Sequence, residues 1–109
     1  MPTKPLSSPY GRIFLVTGTT SGAAAQLLLA PGPAFNRVRL DAFNKSASDA
    51  DLTVQWHSTL AEEELVMTIP ALSGPVSVIP DWTILAGGTV KVYASVANVI
   101  GTYIEVTRA

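Results

Sequence analysis

Residues 84–96 read "ILAGGTVKVYASV", a glycine-marked turn followed by an alternation that places Val90, Val92, Ala94 and Val96 on one side. A period of two residues is the pattern of a strand with one buried face, because successive side chains of an extended backbone point to opposite sides. No residue of the stretch combines a nucleophile, a base or a ligand set. The chain around it has the same character, so the fold is decided by turn chemistry and alternation.

Moving toward the C-terminus, residues 99–108 repeat the pattern, with Ile100, Thr102, Ile104 and Val106 on one side. Upstream, "VSVIPDWTIL" (76–85) is a strand interrupted by Pro80, which cannot donate to a ladder and therefore predicts an edge strand or a crossing segment. "EEELVMTIP" (62–70) begins solvated and becomes strand-like, with Leu65, Met67 and Ile69 together. "LTVQWHS" (52–58) alternates Leu52, Val54 and Trp56 inward with Thr53, Gln55 and His57 outward.

"RVRLDAF" (37–43) places Val38, Leu40 and Ala42 against a core and Arg37, Arg39 and Asp41 in water. Between these strands, "NKSASDAD" (44–51), "ALSGP" (71–75) and "PGPAFN" (31–36) are loops rich in residues that bend the chain or bond to their own backbone. "AAAQLLLA" (23–30) is built from helix formers, yet only eight residues separate Gly22 from Pro31, a length that suits a strand better than a helix. "RIFLVT" (12–17) is a further strand, and "GTTSG" (18–22) a turn.

Seven to nine short antiparallel strands at near-regular spacing predict an all-β domain, a single β-sandwich or jelly roll spanning residues 12–109. At 109 residues the chain fits one domain. Residues 1–11, "MPTKPLSSPYG", carry three prolines and no apolar period, which predicts an extended arm. Ordering such an arm costs about 1 to 2 kcal/mol per residue, so it needs a surface to lie on. Pro2, Lys4, Pro5, Leu6, Pro9 and Tyr10 are the residues expected to meet a partner.

Composition restricts the function classes. Charged residues make up 14% of the chain, against about 25% in an ordinary soluble protein, while hydrophobic residues reach 48%. A surface this poor in charge either relies on neutral polar groups or is partly hidden against other chains. A net charge of -1 with dispersed basic residues argues against nucleic-acid binding, which depends on clustered Lys and Arg. The charge-free interval between Arg12 and Arg37 is broken by glycines and prolines and does not supply a membrane span.

Candidate chemistry is sparse. With no cysteine, a metal site would have to combine the lone His57 with carboxylates, and a nucleophile would need His57 beside Ser58 or another hydroxyl. Neither comes at a motif spacing. Glu62, Glu63 and Glu64 are consecutive and do not flank a cleft as paired glycosidase carboxyls do, and "DAD" (49–51) lacks the glycine and glutamate of a calcium loop. The glycine runs open no helix and carry no phosphate-binding lysine, so no cofactor is expected. Trp56 points to the core by alternation, which leaves Trp82, beside Pro80 and Asp81, as a possible platform for stacking on a sugar or as a rim residue over the core.

The segments "LLLAPGPAFNRVRLDAFNKSASDADLTVQW" and "DWTILAGGTVKVYASVANVIGTYIEV" together resemble small β-sandwich structural proteins of tailed bacteriophage virions. The shared landmarks are Pro31 and Gly32, Asn44, Thr53 and Val54, Leu85 to Gly87, Val90 to Ser95, Asn98, and Ile104 to Val106. Gly88 stands where relatives tend to have an acidic residue. The resemblance covers roughly residues 13–106. It implies a non-enzymatic virion component, assembled in the host bacterial cytoplasm, oligomeric, and bound to major capsid or to neck and tail proteins. A head decoration or minor capsid role is the first expectation, with a neck or tail role as its alternative; a carbohydrate-binding module using Trp82, with Tyr93 or Tyr103, is the second, and an enzyme dependent on His57 a distant third.

Overall fold

The structure is a computed structural model that describes residues 12–30, 36–57 and 62–108. Among the described residues eight strands follow one another: β1 (Arg12–Leu15), β2 (Ala25–Leu29), β3 (Asn36–Asn44), β4 (Ala50–His57), β5 (Glu62–Ile69), β6 (Val76–Ile84), β7 (Thr89–Ala94) and β8 (Ile100–Arg108). They form two four-stranded antiparallel sheets, sheet A in the order β1-β8-β3-β6 and sheet B in the order β2-β7-β4-β5.

This order has a simple origin. β1 pairs with β8, β2 with β7, β3 with β6 and β4 with β5, so the chain is one long hairpin closed between β4 and β5. Rolling that hairpin brings β3 beside β8 and β4 beside β7, which completes both sheets. The result is the eight-stranded jelly roll expected as one form of the sandwich.

The core lies between the sheets and follows the alternation. Val38, Leu40 and Ala42 of β3, Val90, Val92 and Ala94 of β7, and Ile100, Thr102, Ile104 and Val106 of β8 are all buried. Each fully buried Leu or Ile contributes about 1.5 to 3 kcal/mol of apolar burial. Thr102 is satisfied within this core, since its hydroxyl donates to the carbonyl of Phe14 at 3.1 Å. Residues 25–29 are a strand, so the short spacing between Gly22 and Pro31 outweighed helix propensity. Pro80 sits in β6, an edge strand of sheet A, as its missing N–H requires.

Four expectations need correction. Thr53 and Gln55 do point to the outer side of sheet B, but both are only 6% exposed. Thr53 is flanked by Val66 and Tyr93 in the neighbouring strands. Gln55 lies under a 3-10 turn at Ser21–Ala23 and donates to Ser21 Oγ at 2.8 Å and Glu64 Oε2 at 3.0 Å. Val96, placed by alternation with Val90 and Val92, is 49% exposed because β7 ends at Ala94 and the chain bends away. Asn36, expected in a loop with residues 31–35, which lie outside the described residues, is buried and opens β3, and the loop expected over 44–51 gives up Asn44 to β3 and Ala50 and Asp51 to β4.

Candidate functional site

Three surfaces collect the side chains that chemistry or recognition could use. The first is the outer face of sheet A, where Arg37, Arg39, Pro80, Asp81, Glu105 and Thr107 line an open depression of about 240 Å³. Strand parity aims Arg37 and Arg39 outward, and β6 and β8 supply the acids opposite. Arg37 Nε donates to Asp81 Oδ1 at 3.0 Å, and its terminal nitrogen pairs with Asp81 Oδ2. The hydrogen bond to Asp81, and then its charge, hold the Arg37 guanidinium above its ordinary pKa.

Arg39 is shared between Asp41 at 3.3 Å and Glu105 at 3.9 Å, and its guanidinium carbon lies 6.0 Å from the Tyr103 ring centroid. Both arginines are thus matched by carboxylates, which leaves no unbalanced positive charge for a phosphate or carboxylate ligand. These pairs are exposed, and each contributes at most about 1 kcal/mol.

The second surface is an apolar strip on the same sheet. Phe14 packs against the core, so its neighbours Ile13 and Leu15 face outward and are 67% and 39% exposed. Leu15 stands opposite Gly101, and Phe43 stands opposite Gly101 from the other side. The Phe43 ring lies over Gly101 so closely that a Cβ there would come within 2.2 Å of it. Glycine in β8 therefore lets an aromatic ring lie flat on the sheet. Sequence reading missed this strip, although the unbroken apolar run Ile13 to Val16 signals that both faces of β1 are meant to be covered.

The third surface is the end of the sandwich where the chain crosses between sheets. Asn44, 1% exposed, ties these crossings together. Its Nδ2 donates to Ser48 O at 2.8 Å and Ile69 O at 3.0 Å, while its Oδ1 accepts from Ser46 N and Ser46 Oγ, both at 2.9 Å. Leu72 N donates to Ser46 O, and Lys45 N to Val99 O. The end presents Leu72, 71% exposed at a positive φ of 53°, and Val96.

The residues singled out for catalysis are scattered. His57 is exposed at the end of β4, in register with Glu62 and Thr89. Glu64 accepts from Gln55, Asp49 Oδ1 accepts from Ala71 N at 2.9 Å, and Asp51 Oδ1 accepts from Thr68 Oγ1 at 2.7 Å. These carboxylates hold loops and strands together. Among the described residues no group of three or more His, Asp or Glu could hold a metal ion.

Trp82 is 39% exposed, and its ring meets Trp56 at 5.4 Å between centroids with the planes at 85°. One indole edge thus abuts the other's face across the rim between the sheets. Pro2, Lys4, Pro5, Leu6, Pro9 and Tyr10 lie outside the described residues. Of the landmark turn residues, Gly87 has a φ of 88° and Asn98 a φ of 66°, conformations that glycine and asparagine tolerate. Gly88 is a packing requirement, because a Cβ there would come within 2.6 Å of Ile84 and 2.9 Å of His57 O.

No family model matches the chain, and no curated protein matches it. Among solved structures, one alignment reaches the CBM22-1 and GH10 modules of a Clostridium thermocellum endo-1,4-beta-D-xylanase, a structure complexed with xylohexaose. It has 11% identity and a TM-score of 0.33, covers 91% of this chain, and spans 24% of the other. A likeness that slight carries no argument about this protein.

Proposed function

We propose that the chain is a non-enzymatic structural protein of a tailed bacteriophage virion, a head decoration or minor capsid subunit. It would stabilise the particle through contacts with its own copies and with major capsid proteins. The observation that carries this reading is the distribution of exposed apolar side chains on a sparsely charged sandwich. Ile13 and Leu15 lie on sheet A, Leu29 and Val66 on sheet B, and Leu72 and Val96 at one end. A subunit placed in a shell meets neighbours on several sides at once, and many modest contacts then add through effective concentration. The N-terminal residues Pro2 to Tyr10 would add a further contact, and the protein would reside in the virion.

Quantitative mass spectrometry of purified particles tests this. The protein should be present in many copies in a fixed ratio to the major capsid protein, and its removal should lower the temperature at which heads rupture. Absence from purified particles would overturn the proposal. A copy number near that of tail or neck proteins would move it to the neck or tail. The exposed part of Trp82 supports a second reading, a carbohydrate-binding module. That reading requires glycan binding that disappears in Trp82→Ala while the fold is retained.

A further inference from the structure

The four edge strands of the two sheets are not equivalent. A free edge offers unpaired backbone groups to any other chain, and proteins blunt such edges with charge, proline or bulges. β6 carries Pro80 and two register shifts against β3. β2 carries a register shift between Gln26 and Leu28. β5 carries Glu62, Glu63 and Glu64 at consecutive positions. β1 is short, four residues with the charged Arg12 at its start, but its register with β8 is continuous from Arg12 to Leu15, it contains no proline, and from Ile13 to Leu15 it is wholly apolar with Ile13 and Leu15 exposed.

The direction of its backbone groups follows from one bond. Val16 N donates to Ile100 O at 2.8 Å, in the register that pairs Arg12 with Ile104 and Leu15 with Gly101. In an antiparallel ladder the residues that exchange bonds alternate. Phe14 and Arg12 therefore turn their peptide groups toward β8, and Ile13 and Leu15 turn theirs to the side on which no described strand lies.

We propose that the open edge of β1 is the pairing surface for β1 of a second copy, in antiparallel register about a two-fold axis at Phe14. In that register Ile13 of one copy exchanges both bonds with Leu15 of the other, and Leu15 with Ile13, so every outward group of the two residues is satisfied. The only charged position in the strand, Arg12, falls opposite Val16 of the second copy, and like charges never face each other. The apolar strips of both copies, each running from Ile13 and Leu15 toward Phe43, meet in one continuous face on the joined sheet. The contact is isologous and closes at two. This deepens the assembly reading by naming the surface and the partner, and it rests on that reading for its purpose.

Because the chain has no cysteine, the register can be read directly. Ile13→Cys and Leu15→Cys are made separately in the full chain and oxidised alone and as an equal mixture. Residues that exchange bonds stand about 5.5 Å apart between Cα atoms, inside the range a disulfide spans, whereas 13 to 13 and 15 to 15 are diagonal neighbours at about 7 to 8 Å. The mixture should form covalent dimer, and each variant alone should remain monomeric on a non-reducing gel. Ile13→Lys with Leu15→Lys, both at exposed positions, should keep the wild-type circular dichroism and weaken dimerisation by roughly tenfold or more in sedimentation, since like charges would then stand opposite each other.

Equal crosslinking in all three samples, or none with the fold intact, would overturn the pairing. Crosslinking seen only after residues 1–11 are removed would show that the chain's own N-terminal residues cover the edge, and would also overturn it. Failure here with the protein still present in purified particles would leave the assembly reading standing on other contacts.

Discussion

Removing the side chain of Asn44 should loosen one whole end of the sandwich. Asn44→Ala deletes four hydrogen bonds, two donated to the carbonyls of Ser48 and Ile69 and two accepted from Ser46. The two serines sit near the surface and can turn to water, so their share is about 0.5 to 1 kcal/mol each. The carbonyl of Ile69 belongs to a residue with no exposed surface and loses its side-chain partner, which costs about 1 to 3 kcal/mol. The total is about 2 to 5 kcal/mol, a large part of the roughly 5 to 15 kcal/mol expected of a domain. Urea unfolding followed by tryptophan fluorescence should show the midpoint falling by roughly 1.3 to 5 M if the slope is about 1 to 1.5 kcal/mol/M. Asn44→Asp gives the sharper result. A carboxylate keeps the acceptor role toward Ser46 but faces two carbonyl oxygens with no proton to give them. Its folded pKa must therefore rise above the unfolded value of about 3.9, and stability present below that value is lost as pH climbs through the folded pKa. An Asn44→Ala cost below about 1 kcal/mol, or an Asn44→Asp deficit indifferent to pH, would refute the role assigned to this residue.

The other expectations are narrower. Trp82→Ala removes the edge-to-face contact with Trp56 and should cost about 1 to 2 kcal/mol by the same urea assay, with a change in Trp56 emission. A double-mutant cycle on Arg37 and Asp81 should return a coupling below about 1 kcal/mol that shrinks as salt is added, because both side chains are about half exposed. Gly18→Ala should destabilise by about 2 kcal/mol or more, since its Cβ would come within 2.1 Å of the Ala23 carbonyl oxygen, while Gly22→Ala, with nothing within 4 Å, should be neutral within about 0.5 kcal/mol in thermal unfolding. Leu72→Asn should be neutral or stabilising by a few tenths of a kcal/mol, because asparagine tolerates the left-handed backbone that leucine adopts there at a cost of about 1 kcal/mol.

Much of the fold could be read because one kind of signal recurs. Arg37, Arg39 and Asp41 between Val38, Leu40 and Ala42 fix the faces of β3 without reference to any other strand. Pro80 marks an edge for an equally local reason, a missing donor. Alternation fails where a second layer intrudes: Gln55 keeps its outward direction but is roofed by Ser21, which lies 34 residues earlier. Val96 fails because alternation says nothing of where a strand stops. Strand order was not legible, since a period of two tells which face is buried but not which neighbour a strand takes. The outer strip of Ile13, Leu15 and Phe43 was missed because its parts come from three strands and depend on Gly101, whose role appears only when Phe43 lies over it.

The rolled hairpin has a consequence for assembly. β1 stands at an edge of sheet A and pairs, among the described strands, with β8. A dimer closed through β1 uses up this side of sheet A and, being isologous, cannot propagate. A particle-wide array then needs a second, heterologous contact from a surface that the first leaves free. Sheet B offers Leu29 and Val66 on the other layer, and the loop end offers Leu72 and Val96, the latter in a loop whose Asn98 N donates to Val16 O just past β1. They differ in what holds them. The loop end is held by Asn44, so weakening Asn44 should impair particle binding out of proportion to β1 pairing if the second contact lies there, and should impair neither if it lies on sheet B.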